Sequence, residues 1–227
     1  MITSADNPKL KEARKLADRR WRERTSRFVA EGEDLVAAAA AAGWEPEWIL
    51  RAGVEVEPSL LDGVSSLGSG TRVIAAYEQR WASAASAPCV ALWGVRDPGN
   101  VGAVLRSALA FGAGSVVLGP QCADPYSPKA VRASMGAIFA VAVVRAQSVA
   151  ELPAPRVAMA ARRGRPLDAA GEVATLVVGG ERAGLPEDVV SACEEVVHVP
   201  IRSESLNAAM AATIGLYEIA RTAGGAE

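Results

Sequence analysis

Three short clusters place residues able to bind, orient or polarise a substrate where backbone can come close to it. The first is Gly94-Val95-Arg96-Asp97-Pro98-Gly99-Asn100-Val101-Gly102, which follows an apolar strand and opens a helix. With Asp124 further along, its placement is that of a dinucleotide fingerprint. The G-x-G core is missing, however, and Pro98 and Asn100 interrupt the tight turn that a pyrophosphate requires, which disfavours a Rossmann-type cofactor. In the helix that follows, Val101, Val104, Leu105, Ala108 and Leu109 define one apolar stripe, and Arg106 points well off it. The residues around it there, Gly102, Ala103, Ser107 and Ala110, are all small. A surface arginine is the plain reading; the small neighbours favour a charge set into a tight cleft.

The second cluster, Gly179-Gly180-Glu181-Arg182-Ala183-Gly184, comes directly after a buried strand. Its glycines let backbone approach a ligand and offer N–H and C=O groups, although an ordinary turn would look the same. The third, Ser205-Leu206-Asn207, stands at the mouth of a long helix that carries almost no charge. Ser205 is expected to cap that helix. As a nucleophile it would need a base, and the only histidine, His198, lies on the strand before Pro200, so serine hydrolysis is disfavoured. Cys89, Cys122 and Cys193 form no CxxC pair, so neither a disulfide framework nor a zinc site is indicated.

The elements that must hold these clusters alternate regularly in the second half. Apolar strands are expected over 89–95, 115–119, 139–144, 156–160, 175–179 and 196–201, and helices over 101–111, 128–135, 186–193 and 206–221. Strands alternating with helices imply a parallel sheet covered on both faces, with ligands at the carboxyl ends of its strands. In the first half, one helix over 5–24, a strand and turn over 27–32, an Ala-rich helix over 33–42 and strands at 48–50 and 71–76 make a small α/β unit. The small and polar stretch 82–88 is the best linker. The expected division is therefore 1–81, a linker 82–88, and 89–227.

The 227 residues are half hydrophobic and 22% charged, with a net charge of −2, ordinary for a globular protein. No apolar run approaches a membrane span, and no secretory signal is legible at the N-terminus, so a cytoplasmic protein is expected. The charge is unevenly spread. Residues 1–30 hold nine Lys and Arg against four acidic residues, which leaves the remainder acidic. A basic arm on an acidic body fits a local polyanion partner or, equally, a solvated helix face. Lys9, Lys11, Arg14, Arg19, Arg20, Arg22 and Arg24 are the arm's candidates for phosphate contacts. Lys129, Arg132, Arg162 and Arg163 are those of the body.

Taken jointly, Asn100-x5-Arg106, Gly180-Glu181-x2-Gly184 and Pro200…Ser205-Leu206-Asn207…Leu216-Tyr217-Glu218 resemble the three motifs of the SpoU/TrmH-like RNA ribose methyltransferases of the SPOUT superfamily. The likeness covers 88–221, and residues 27–80 resemble the ribosomal-protein-like substrate-binding domain that many members carry. The resemblance implies a C-terminal trefoil knot in the parallel sheet, S-adenosyl-L-methionine (AdoMet) held in that knot, and a homodimer whose sites are completed across the interface. It implies donor contacts by Gly179, Gly180, Val199, Ile201 and Leu206, and a catalytic cluster of Asn100, Arg106, Glu181, Ser205 and Asn207. No metal is implied. The expected reaction is methyl transfer to a ribose 2′-OH of RNA, with 23S rRNA ahead of tRNA, and a non-catalytic RNA-binding or ribosome-assembly factor as the other alternative. The loop from Ile201 to Glu204 is shorter than the family pattern and lacks its glycine, so its AdoMet contacts are where the family template should fit least.

Overall fold

The computed structural model describes residues 1–66, 70–181 and 183–224. Helix α1 (Pro8–Leu16) starts where Asn7 accepts from the Lys9 N–H at 2.9 Å with Pro8 at the first helical position, and it buries Leu10, Ala13 and Leu16. The single helix expected over 5–24 is in fact two. Asp18 adopts an extended conformation and caps a second helix, α2 (Arg19–Thr25), by accepting from the Arg20 N–H at 2.7 Å. A local side-chain cap thus overrides a helical pattern that runs through it.

Strand β1 (Arg27–Glu31), α3 (Glu33–Ala41), β2 (Trp48–Arg51), α4 (Pro58–Asp62) and β3 (Val73–Glu78) follow. The three strands form an antiparallel sheet in the order β1-β3-β2. Next come β4 (Cys89–Trp93), α5 (Pro98–Ala110), β5 (Ser115–Leu118), α6 (Pro128–Ala133), α7 (Ala137–Ala140) and β6 (Ala142–Arg145). Strands β7 (Arg156–Met159), β8 (Arg165–Pro166) and β9 (Thr175–Gly179), α8 (Glu187–Ser191), β10 (Glu195–His198) and α9 (Ala208–Gly224) complete the described chain. Among the described residues these strands form one parallel sheet in the order β6-β5-β4-β9-β7-β10-β8. All five residues of β4 are buried, as the unbroken apolar run requires of a strand covered on both faces. Phe139, expected at the start of a strand, lies in the short helix α7 instead.

Helix α9 lies unusually close to the sheet. A Cβ added at Gly215 would stand 2.2 Å from Leu176 Cδ2 on β9. Its partner on the same face is α5, to which it is tied by a 2.6 Å hydrogen bond between the hydroxyls of Thr213 and Ser107.

The expected linker does not behave as one. The Ala82 N–H donates to the Val143 carbonyl at 2.8 Å, extending the large sheet, and Ser86 exchanges hydrogen bonds with the Ser115 hydroxyl at 3.1 Å. One apolar core runs through both halves. Phe28 stacks on Tyr126 with centroids 4.8 Å apart, and Trp44 meets Phe139 at 5.2 Å while its indole N–H donates to the Phe139 carbonyl. The small sheet is thereby docked against the large one rather than tethered to it.

Candidate active site

The carboxyl end of β9, the start of α5 and the start of α9 converge. Asp97 accepts from the Gly99 N–H at 2.7 Å and begins α5 at Pro98, so Asn100 sits in the first helical turn rather than in the loop expected there. At α9 the cap is Asn207 and not Ser205. Asn207 Oδ1 accepts from the N–H groups of Ala209 at 2.9 Å and Met210 at 3.3 Å. Asparagine is an equally good cap, and it is the residue whose side chain meets the first free N–H groups.

The cap fixes the orientation of the rest. Because Asn207 Oδ1 serves the helix, its amide nitrogen is left to donate, and it does so to Asn100 Oδ1 at 3.1 Å. Asn100 Nδ2 in turn donates to a carboxylate oxygen of Glu181. Asn207, Asn100 and Glu181 therefore form a directed relay ending on a carboxylate, contributed by three elements far apart in sequence. Ser205 and Arg106 are outside it. Ser205 is exposed, and among the described residues no hydrogen bond joins it to His198 or to the relay. Arg106 is exposed on α5 without an ion pair or hydrogen bond among the described residues. It lines neither of the two cavities beside the relay. The small residues beside it serve packing, since a Cβ on Gly102 would stand 2.3 Å from the Ala130 carbonyl oxygen of α6.

The glycines after β9 also pack backbone on backbone. Gly180 donates to the Trp93 carbonyl at 2.9 Å and accepts from the Gly184 N–H at 2.9 Å, closing a turn. A Cβ on Gly180 would meet the Gly94 oxygen at 2.4 Å, and one on Gly179 the Gly184 carbonyl carbon at 2.3 Å. Arg182 lies outside the described residues.

Two cavities flank this turn. One, of about 440 Å³, is lined by Met159, Gly179, Val199, Ile201, Leu206 and Ala211, together with Gly180, Glu204 and Ser205. Ile201 and Glu204 line it, so the loop between them forms part of that wall. The other, of about 810 Å³, is an open cleft that holds Asn100, Asn207, Arg96, Gln121 and Lys129. Gly180, Glu181, Ala183 and Gly184 belong to both and form the wall between them. The first cavity falls within the ordinary size range of small-ligand sites and combines apolar side chains with turn backbone. Among the described residues no group of His, Cys, Asp and Glu is placed to hold a metal.

The basic residues separate into two kinds. Lys9, Lys11, Arg14, Arg19, Arg20 and Arg24 are exposed on the arm, with Lys11 paired to Asp6 at 2.8 Å and Arg19 to Glu23 at 2.7 Å. Lys15 and Arg24 lie over the Trp21 ring, 4.5 and 5.1 Å from its centroid. Arg22 leaves the group: it is 3% exposed, donates to Asp124 at 2.7 Å and to the carbonyls of Leu16 and Ala17 at 2.8 Å. A guanidinium at that depth needs such partners, and it joins α2 to the large domain rather than facing solvent. On the body, Arg132 donates to Ser66 Oγ at 3.1 Å and Arg162 to the Ser203 carbonyl at 3.2 Å. Arg163 forks onto Glu187 at 2.8 and 3.0 Å. Lys129 pairs with Asp97 at 2.8 Å and holds that carboxyl below its usual range.

Sequence reasoning missed the Arg96–Gln121 pair, in which Arg96 donates to Gln121 Oε1 at 2.6 Å. Arg96 stood within a motif already singled out, but nothing in the sequence pointed to Gln121. It also missed Trp93 as a cleft residue. The indole crosses Gly119, where a Cβ would stand 2.3 Å from Trp93 Cε3.

The chain is similar to known proteins over nearly all of its length. Residues 87–217 match the SpoU rRNA Methylase family, and residues 7–86 match the MRM3-like substrate binding domain. The chain is 31% identical to the 23S rRNA (guanosine(2553)-2'-O)-methyltransferase RlmP of Bacillus subtilis, over 96% of this chain and 98% of that one. An AdoMet-bound rRNA methyltransferase from Sinorhizobium meliloti superposes with a TM-score of 0.87 at 29% identity, covering 97% of each chain. The SpoU methyltransferase AviRb from Streptomyces viridochromogenes, in complex with AdoMet, gives 0.84 at 26% identity, covering 96% of this chain and 98% of that one. With its motifs, its parallel sheet and most of its length accounted for in this way, the chain belongs to the SpoU rRNA methylase family.

Proposed function

We propose that this protein is an AdoMet-dependent RNA methyltransferase acting on a ribose 2′-OH of 23S rRNA in the cytoplasm. The observation that carries the reading is the pair of cavities divided by the Gly180–Gly184 turn, one suited to a small donor and one open enough for a nucleotide. The methyltransferase names of full-length relatives support the substrate class.

Gly179, Gly180, Val199, Ile201 and Leu206 would hold the donor, chiefly through backbone groups and apolar contact. When bound, AdoMet would supply a sulfonium-activated methyl group; the ribose 2′-oxygen would take the methyl and release its proton to water, and the sulfonium would leave as the neutral thioether. Asn100, Glu181 and Asn207 keep the dividing wall in one geometry, so that acceptor and donor meet in a fixed orientation, a large source of acceleration. Arg106 orients the acceptor hydroxyl or its phosphate and stabilises developing negative charge, since a guanidinium donates hydrogen bonds and accepts none. Ser205, at the edge of the donor cavity, completes the cluster.

On this reading a second subunit brings Arg106 to a site. Leu109 and Tyr217 are each 49% exposed and Met210 62%, along the packed pair α5 and α9 beside Arg106. That apolar face supports a homodimer with Arg106 serving the partner's cleft, in a fold whose C-terminal segment is knotted. Phosphate contacts fall to Lys9, Lys11, Arg14, Arg19, Arg20 and Arg24 of the arm and to Lys129, Arg132, Arg162 and Arg163, contacts that position RNA without reading it. Calorimetry with AdoMet, followed by transfer of radiolabelled methyl to an unmodified 23S rRNA transcript, tests the reading. Binding with transfer is expected; binding to NAD instead, or AdoMet binding without transfer to any RNA, would refute it.

A further inference from the structure

Two arginines stand where the small domain meets the large sheet, and neither is neutralised within the chain. Arg80 lies over the Trp44 ring, 4.0 Å from its centroid, and Arg145 over the Trp81 ring at 3.8 Å. Both are exposed, and among the described residues neither guanidinium makes a hydrogen bond or an ion pair. Arg19, Arg51, Arg163 and Arg221, also exposed, each hold a carboxylate. The indoles beneath the pair are fixed in turn. The Trp44 N–H donates to the Phe139 carbonyl at 2.9 Å, and the Trp81 N–H to Gln79 Oε1 at 3.3 Å. Tyr126 links the two sides. Its ring meets that of Trp81 edge-on, with centroids 5.2 Å apart, and its hydroxyl donates to the Arg80 carbonyl. Burial raises the pKa of that hydroxyl, and the charges of Arg145 and Arg80 are among the influences that oppose the rise, so both guanidiniums lie near one residue. Asp124, the carboxylate beside them, is already bound to Arg22 at 2.7 Å.

The place of the pair in the fold points to its ligand. Arg145 ends β6, level with Leu118 of β5 and, one strand further, with Leu92 of β4. Pro120 and Gln121, which follow β5, and Gly94, which follows β4, line the large cleft. Arg145 therefore stands on the edge of the sheet that carries the cleft, two strand spacings or about 10 Å from β4. On the other side, Gln79 donates to the Arg22 carbonyl of α2 at 3.4 Å, which joins the pair to the basic arm. We propose that Arg80 and Arg145 form a clamp for the RNA backbone, each guanidinium binding a phosphate between the arm and the cleft. A guanidinium held on an indole keeps its fork of N–H groups for two phosphate oxygens and loses less side-chain freedom on binding than an unsupported cation does. Such contacts read no base, so the clamp sets where the strand lies rather than which nucleotide it offers. RNA as the ligand rests on the methyltransferase reading; the unpaired guanidiniums do not.

The test is binding of the full chain to an unmodified 23S rRNA transcript across a salt series. The variants are Arg80→Gln, Arg145→Gln, the two combined, and Arg72→Gln, an exposed arginine of the small domain outside the pair. The double variant is expected to bind at least about tenfold more weakly and to lose about two units of log–log salt slope, each single variant about one. AdoMet affinity and unfolding temperature should stay at wild-type values. Arg80→Lys combined with Arg145→Lys keeps the charges and loses the forks, so its slope should match wild type while its affinity stays at least about threefold lower. That variant also carries the test if the glutamine variants unfold early. An unaltered slope in a folded double glutamine variant, an equal loss in Arg72→Gln, or full affinity in the double lysine variant would each overturn the proposal. Weakened RNA binding by the variants of a protein that transfers no methyl group refutes the methyltransferase reading and leaves the clamp standing. Transfer by the wild type with undiminished binding by the double glutamine variant refutes the clamp alone.

Discussion

Asn207 donates to Asn100 across 3.1 Å while its own oxygen caps helix α9. One side chain thus starts the C-terminal helix and fixes the first turn of α5. The two roles separate by mutation. Asn207→Ala loses both, and is expected to cost about 1 kcal/mol of stability along with most methyl transfer. Asn207→Asp keeps the cap but cannot donate to Asn100, so thermal unfolding should return close to wild type while turnover does not. Recovery of turnover with stability would show that the cap alone matters.

The Arg22–Asp124 pair makes a contrasting prediction. Arg22→Ala leaves Asp124 unpaired at 11% side-chain exposure, and such losses typically cost about 3–5 kcal/mol. A clear drop in unfolding temperature is expected. Arg20→Ala, on the exposed face of the same helix, should leave stability unchanged and lower the salt dependence of RNA binding by about one unit of log–log slope. Comparing melting curves and salt titrations of the two variants separates the structural from the phosphate-binding arginines.

Arg106→Ala should fold and bind AdoMet normally and lose transfer. If Arg106 serves the partner's site, mixing this variant with Leu206→Trp, which obstructs the donor cavity, should restore activity that neither has alone. Each mixed dimer would contain one intact cavity faced by one intact arginine. Activity of Arg106→Ala by itself would remove the residue from the mechanism, and failure of the mixture would place it within its own chain.

Stability should fall in alkali. Burial, with Glu194 nearby, pushes the Cys193 thiol from an ordinary 9.0 up to about 11, and burial likewise raises Tyr126. These groups stay neutral in the folded protein while the unfolded chain ionises, so the unfolded state binds fewer protons above pH 9. The Cys193 contribution is complete below that pH and is lost as pH rises toward 11, and that of Tyr126 declines from pH 10 upward. Unfolding temperature should decline across that window, and less steeply in Cys193→Ala.

Much of this was legible in the sequence. The unbroken apolar runs Cys89–Trp93 and Thr175–Gly179 named two adjacent central strands, because a strand buried on both faces has no room for polar alternation. The three clusters named the residues that meet around the Gly180 turn. What remained hidden depended on long-range partners. Nothing local distinguishes buried Arg22 from its exposed neighbours, since its burial is set by Asp124, 102 residues away. The position of Asp18 as a cap, the choice of Asn207 over Ser205, and the meeting of Arg96 with Gln121 are likewise decided by geometry that spacing does not encode. The stretch 82–88 looked like a linker because it is small and polar, yet its backbone extends the sheet.

The most direct measurement of the central claim is a ribose-methylation map of rRNA from the source organism with this gene deleted, and then restored as wild type or as Arg106→Ala. One 2′-O-methyl group of 23S rRNA should disappear on deletion, return with the wild-type gene, and stay absent with Arg106→Ala. A map unchanged by deletion would contradict the account.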